Sequence, residues 1–291
     1  MRILYVAEIV GKAGIYALKK GIADFKRHKR PPGKTEKTGE AENTENTEAV
    51  DFVIACADGA TGGTGLGRGH AVYLHKLGVN ALTTGECCFY KRDLVDYIEK
   101  IPYLVRPANL NPWAPGVGYR IFKTEAGKIG VAVLLGQSGF SRFHGDNPFS
   151  ALPVLVERLK QETPFVIVDF HAEATAEKRT LFAIADGRCS AVIGSHSRVQ
   201  TADETVLAGG TAVITDAGRT GSFESVGGSD IDTRIQEYLT GIPNWTKDTW
   251  AKPELQGVIL DLAEDGAARS ITRVRHPVPP PPDYAEHPRS C

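Results

Sequence analysis

Methionine occurs once, at position 1, and no apolar run approaches the length of a membrane crossing. The first absence excludes a methionine-rich adaptable binding surface. The second leaves stretches such as Ile129–Gly136, which are strand-sized, and excludes a transmembrane helix. An excess of one charge sign is also missing: 34 Lys and Arg against 35 Asp and Glu leave a formal net charge of −1. Nothing therefore points to a nucleic-acid coat or a polybasic membrane patch. The opening MRILYVAEIV lacks the uninterrupted apolar core and small-residue cleavage site of a secretory signal, because Glu8 breaks it. The five cysteines (Cys56, Cys87, Cys88, Cys189, Cys291) are odd in number and follow no framework spacing. Free thiols in a reducing compartment are expected, which places the protein in the cytoplasm. What remains is ordinary for a soluble globular chain with a large core: 42% hydrophobic and 24% charged over 291 residues.

Two segments lack core-forming residues. Residues 29–49 contain no Val, Ile, Leu, Met or aromatic side chain and are expected to form a disordered polar insertion. Residues 277–291 form a Pro-rich tail that favours extended polyproline II. The rest of 1–276 alternates strand and helix signals and has no linker, so one domain is expected. Strands are expected at Arg2–Ala7, Phe52–Ala57, Val79–Thr84, Phe165–Phe170, Ser190–Gly194 and Thr211–Thr215, and helices at Tyr16–His28, Ala71–Leu77, Lys91–Lys100 and Ala151–Gln161. Tyr119–Thr124 with Lys128–Leu135, and Leu255–Leu262 with Arg269–Arg275, read as hairpins across EAG and EDGA. Parallel βαβ units followed by antiparallel strands imply a layered α/β domain with mixed sheets.

Five times an apolar strand ends and a potential metal ligand follows. These are Glu8 after RILYVA, Asp58 after FVIACA, Glu86 after ALTTG, His171 after FVIVDF and His196 after AVIGS. Carboxyl ends of strands border the ligand crevice in α/β sheets. Three carboxylates and two imidazoles converging there call for a cation, and mixed O/N donors suit Mn²⁺, Fe²⁺ or Zn²⁺ better than Ca²⁺. Each element alone also fits a structural role, as a cap or a hydrogen-bonded core residue.

At these residues the chain resembles the YmdB-type branch of the calcineurin-like metallophosphoesterases. The resemblance covers nearly the whole sequence and is carried by MRILYVAEIVGKAG, LVRPANLNPWAPGVGY, DFHAEATAEK, AVIGSHSRVQTAD and TAVITDAGRTG. It implies a sandwich of two mixed β-sheets flanked by helices, and a two-metal phosphodiesterase acting on 2′,3′-cyclic nucleotides. Against the family pattern, Gly-Asp is Ala7-Glu8, Gly-Glu-Asn is Ala57-Asp58-Gly59, Gly-Asn-His is Gly85-Glu86-Cys87, and Gly-Thr-His-Thr-His is Gly194-Ser195-His196-Ser197-Arg198. By this resemblance the first metal would use the positions of Glu8, Asp58, Gly59 and Arg198, and has lost two ligands. The second would use Asp58, Glu86, His171 and His196, all able to coordinate. One divalent metal per chain is therefore expected. Arg198 would supply positive charge in place of the other ion, pair with Glu8 and hold a substrate phosphate by two hydrogen bonds. Cys87 stands where the family has its catalytic His and is a poorer proton donor.

Two readings of function follow. One is a divergent metal-dependent phosphodiesterase with a small phosphodiester or nucleotide ligand. The other is a catalytically silent phosphate- or nucleotide-binding or regulatory protein on the same fold. A thiol chemistry centred on Cys87 is a third, and Cys87 and Cys88 also fit as small buried residues. The Gly-rich run Gly62–Gly67 fits either an active-site loop or a plain turn. His144 is expected at the surface, and a homo-oligomer is compatible with the sequence.

Overall fold

The computed structural model describes residues 1–26, 49–142, 145–244, 248–282 and 284. Apart from Ala49, the expected polar insertion lies outside the described residues, as do His144 and most of the tail beyond Pro282.

In chain order the elements are β1 (Arg2–Val6), β2 (Glu8–Ile9), α1 (Gly11–Lys26), β3 (Phe52–Cys56), α2 (Arg68–Lys76), β4 (Ala81–Thr83), α3 (Arg92–Val95), a 3₁₀ turn at Ile98–Lys100 and β5 (Leu104–Val105). Then follow β6 (Tyr119–Thr124), β7 (Gly127–Leu135), α4 (Pro148–Lys160), β8 (Val166–His171), α5 (Thr175–Ala185), β9 (Ala191–Ser195), β10 (Thr205–Val206), β11 (Ala212–Ile214) and β12 (Arg219–Ser222). The chain closes with α6 (Ile231–Thr240), β13 (Pro253–Leu262) and β14 (Ala268–Pro277).

Two mixed sheets result. The first runs β2-β12-β13-β1-β3-β4-β5, with β14 on β13; the second runs β10-β11-β9-β8-β7-β6. β1, β3, β4 and β5 are parallel, as are β7, β8, β9 and β11. The two-residue period of a strand sorts the core into layers. Ile3, Tyr5, Phe52 and Ile54 face Ile129, Val131, Ile167 and Ile193 between the sheets. Leu4, Val6 and Val53 on the opposite face pack with Leu18 and Ile22 of α1 and Leu74 of α2. Val166, Val168 and Phe170 pack under Leu152, Leu155 and Leu159 of α4 and Leu181 of α5. A strand buried on both faces has no polar alternation, which is why these segments read as continuous apolar runs.

Several elements depart from the sequence pattern. Helix α1 begins at Gly11, five residues before the expected Tyr16, because two glycines mask its first turn. A Cβ on Gly14 would lie 2.5 Å from the Thr220 carbonyl oxygen, so glycine is what lets α1 seat on β12. The helix expected over Lys91–Lys100 divides into α3 and the 3₁₀ turn. The short polar strands β2 and β12 carried no apolar run to mark them. Helix α6, capped by the Asp230 side chain on Thr233 N–H and ended by Gly241 at φ 69°, buries none of its residues and has no core stripe. The tail begins later than expected: β14 includes Pro277, and Val278 is buried with its N–H on the Pro253 carbonyl at 2.9 Å. Among the described residues no helix is long and apolar enough to cross a membrane.

Candidate metal centre

The carboxyl ends of β1, β3 and β4 from the first sheet meet those of β8 and β9 from the second. Asp58, in the turn after β3, accepts the backbone N–H groups of Gly85 (2.6 Å) and Cys87 (3.0 Å). That ties the turn after β4, which carries Glu86, to the end of β3. His171 is the last residue of β8, and His196 follows β9. A Cβ on Gly85 would fall 2.2 Å from the His171 ring, so only glycine there admits the imidazole. His196 (φ 95°) and Arg198 (φ 60°) both occupy the left-handed region, unusual for residues with a Cβ. Such backbone strain persists where the surroundings impose it, commonly at functional sites.

Glu86, His171 and His196 form one donor group, with one ligand atom from each within 4.8 Å of the others. Glu86 Oε2 is 2.5 Å from His171 Nε2, His196 Nδ1 is 3.2 Å from His171 Nε2, and His196 Nδ1 is 3.5 Å from Glu86 Oε1. Around an ion with bonds of about 2.1 Å, neighbouring donors lie roughly 3.0–3.4 Å apart, so the set suits a divalent cation after small adjustment. Asp58 approaches through Oδ2, 3.8 Å from His171 Nε2, and joins Glu86 and Cys87 in a second, overlapping donor group. Asp58 thus borders the Glu86–His171–His196 group without joining it, since both its oxygens accept backbone N–H groups. The ring of Phe140, 5.0 Å from that of His196, lines this place with an apolar wall.

Glu8 and Arg198 sit beside it. Arg198 Nε and Nη2 both donate to Glu8 Oε1, at 3.0 and 2.6 Å. Nη2 also donates to the Gly63 carbonyl (2.7 Å) and Nη1 to that of Gly227 (3.2 Å). Gly62–Gly67 is therefore part of the site, holding Arg198 through Gly63. Four of the five guanidinium N–H groups are taken, leaving one for a ligand; the expected two-point grip on a phosphate is not available in this geometry. A Cβ on Gly59 would meet Glu8 Oε1 at 2.7 Å and Arg198 Nη2 at 2.9 Å, so the guanidinium fills the space beside Gly59. Glu8 Oε2 is buried and has no hydrogen-bond partner.

The electrostatics follow from burial and crowding. Burial raises the Asp58 pKa to about 7, against the opposing pull of His171. Burial also pushes Glu86 upward, but the charge and hydrogen bonds of His171 and His196 outweigh it and hold Glu86 well below the usual carboxylate range. In turn burial disfavours a charged His171, and Glu86 overrides that, so its pKa lies well above that of an ordinary histidine. Three carboxylates crowd a site that holds one guanidinium, and a proton on the His171–Glu86 pair restores part of the balance. A divalent cation would do so more fully, at the same atoms. Cys87 is buried, and burial followed by Asp58 and Glu86 pushes its thiol pKa up; Sγ lies 3.6 Å from Glu86 Oε1. It keeps its proton, which removes the basis for a thiolate nucleophile.

Sequence reasoning missed the support behind His171. Ser195 Oγ donates to Asp169 Oδ1 (2.7 Å) and lies 2.8 Å from His171 Nδ1. With its proton committed to Asp169, the serine oxygen accepts from Nδ1–H, and this assignment makes Nε2 the nitrogen that shares a proton with Glu86 and that would offer its lone pair to a cation once that proton leaves. Asp169 Oδ2 also accepts from Tyr5 Oη (2.7 Å) and Thr83 Oγ1, both on the first sheet. The available signal was the lone acid in VIVDF, two residues before His171 and so on the same strand face.

Comparison with known proteins agrees with this fold. The model of the YmdB-like protein family matches residues 31–274. The 2′,3′-cyclic-nucleotide 2′-phosphodiesterase of Bacillus subtilis (strain 168) is 34% identical over 262 residues, covering 90% of this chain and 91% of the relative. A "novel phosphatase" from Mycoplasma pneumoniae superposes with TM-score 0.81 at 30% identity, covering 95% of this chain and 93% of that one. A "hypothetical protein" from Thermus thermophilus also superposes with TM-score 0.81, at 28% identity, covering 96% of this chain and 100% of that one. The chain belongs to the YmdB-like protein family.

Proposed function

Taking that membership as the premise, we propose that the chain is a metal-dependent phosphodiesterase for 2′,3′-cyclic nucleotides or related phosphodiesters. One divalent ion would be held by Asp58, Glu86, His171 and His196, with Mn²⁺, Fe²⁺ and Zn²⁺ fitting the donor types. The observation that carries the reading is the Glu86–His171–His196 cluster lying next to a guanidinium anchored on Glu8. The similarity to the Bacillus subtilis phosphodiesterase supports the substrate class.

A divalent ion in this position supplies Lewis-acid stabilisation of charge on a phosphoryl oxygen. The chain's own residues do the rest. Asp169, through Ser195, fixes the His171 tautomer and orientation. Arg198 offers its remaining N–H and a permanent positive charge to a phosphoryl oxygen, fixed in place before the substrate arrives. Phe140 keeps water from one side of the histidines. Cys87 is the weak point: a thiol with a raised pKa donates a proton poorly to a departing alkoxide. That same observation favours the second reading, a protein that binds the phosphodiester and turns it over little. The buried free cysteines fit a reducing compartment, and the cytoplasm is the proposed location.

The test is metal content per chain together with hydrolysis of 2′,3′-cyclic AMP in Mn²⁺ or Fe²⁺. One ion per chain and slow turnover that Glu86→Gln abolishes are expected. Turnover indifferent to a chelator, or no retained metal, would overturn the reading.

A further inference from the structure

Behind Arg198 lies a cleft of about 430 Å³. Four of its lining residues are arginines (Arg198, Arg219, Arg273 and Arg275), and none of its described lining residues is acidic. The acids nearby are committed: Glu8 to Arg198, Glu204 to Arg273 and Glu254 to Arg275. Arg219 is different. It is only 8% exposed, yet it forms no ion pair among the described residues. Its Nε, Nη1 and Nη2 donate to the carbonyls of Ser222 (3.1 Å), Arg198 (2.8 Å) and Phe223 (3.1 Å). Of its five N–H groups, two find no acceptor there. Glu254 and Glu8 act on it only from a distance and burial with the neighbouring Arg198 outweighs them, so a guanidinium without a direct ion pair here is costly to the fold and favours an added anion.

One further feature narrows the anion. The Phe223 ring is 44% exposed, with the Arg275 guanidinium 4.4 Å from its centre. An anion site beside an exposed aromatic ring matches the phosphate and the base of a nucleotide. The cleft adjoins the metal centre, since Arg219 pairs with Glu8 in register across β12 and β2, about 5 Å away along the hydrogen-bonding direction.

We propose that this cleft is a nucleotide subsite that takes a second phosphate of the substrate on Arg219, beside the centre that holds the scissile phosphate. The inference rests on the phosphodiesterase reading and deepens it. Phosphodiesters carrying an additional phosphate, such as a 5′-phosphorylated cyclic nucleotide or the end of an oligonucleotide, are then preferred to singly phosphorylated ones.

The probe is adenosine 3′,5′-bisphosphate against adenosine 3′-monophosphate, titrated by calorimetry into the full Mn²⁺-loaded chain. The bisphosphate is expected to bind about tenfold more tightly, and Arg219→Gln should bring the ratio of the two affinities close to one. Should Arg219→Gln fail to fold, judged by its melting curve, Arg275→Gln carries the test and should lower the ratio at least threefold. Equal affinities in the unmodified chain, binding of neither ligand, or a ratio that survives substitution overturns the subsite. Hydrolysis of 2′,3′-cyclic AMP is scored separately. Turnover with equal affinities removes the subsite alone, whereas a bisphosphate preference without turnover removes the enzyme reading alone.

Discussion

Arg198 and Glu8 meet through a single carboxylate oxygen. Both Nε and Nη2 of the arginine converge on Oε1, at 3.0 and 2.6 Å, while Oε2 stays buried without a partner. A bidentate fork, the usual arrangement of this pair, would have used both oxygens. The arginine is instead displaced toward the carbonyls of Gly63 and Gly227, filling the space beside Gly59.

That relationship makes Gly59 and Arg198 a coupled pair. Gly59→Asn alone should lower stability by about 1–3 kcal/mol, since its Cβ collides with a held guanidinium. In the Arg198→His background the same change should cost measurably less. Denaturant unfolding of the four proteins in a double-mutant cycle gives the coupling. Equal costs in both backgrounds would show that the guanidinium does not occupy this space. Arg198→His with Cys87→His should also raise the metal content from one ion per chain toward two.

The pH dependence of the metal-free chain has a defined sign. His171, raised, contributes stability that is complete below about pH 6.5, its unfolded pKa, and is lost as pH climbs through its folded pKa. Asp58, raised from 3.8 to about 7, costs stability progressively as it is forced to ionise between those values. Glu86, lowered, works the other way, and its contribution disappears only below about pH 4.5. The melting temperature without metal should therefore decline from about pH 5 to pH 9. Saturating Mn²⁺ should flatten that decline, because the ion replaces the proton, and metal affinity should rise with pH across the same range. A metal-free melting temperature that climbs with pH would contradict the placement of these three groups.

Ser195→Ala removes the acceptor of His171 Nδ1–H while leaving β9 intact. Metal affinity is expected to weaken about 10–100-fold. A purely packing role would leave the tautomer of His171 unchanged, so nitrogen-15 chemical shifts of the imidazole separate the two cases. Ser195→Thr, which restores a hydroxyl, should recover most of the affinity.

Cys87 should resist alkylation. With its thiol raised by burial and by Asp58, iodoacetamide at pH 8 is expected to modify it at least about 100-fold more slowly than a free cysteine. Mass spectrometry after timed quenching measures this, and fast labelling at Cys87 in the folded chain would show a reactive thiolate there.

The strand ends carry most of the site's signal in the sequence. Each of Glu8, Asp58, Glu86, His171 and His196 follows an apolar run whose period and length could be read directly; Glu86, His171 and His196 form one donor group, with Asp58 at its edge and Glu8 bound to Arg198. What stayed hidden depended on long-range contacts. Asp169 looked like one polar residue in an apolar strand, and its meaning came from Tyr5, Thr83 and Ser195, distant in sequence. Arg219 belongs to a polar four-residue strand with no periodic signal, and only the register with Glu8 places it. Helix α6 has no buried face to impose a helical period on its sequence, and its caps at Asp230 and Gly241 are the sole local markers.

The first sheet and the second share no strand, and the donor group is drawn from both: Glu86 from one, His171 and His196 from the other. An ion bound there would be one more clasp across a seam also closed by side-chain packing, the Asp169 hydrogen bonds and backbone bonds such as Ala108 N–H on the Val133 carbonyl (2.8 Å). Taking such an ion out would slacken the joint between the halves as well as empty the proposed reaction centre. Amide protons at the ends of β4 and β8 should then exchange together, as one opening unit whose lifetime is set by the metal supply.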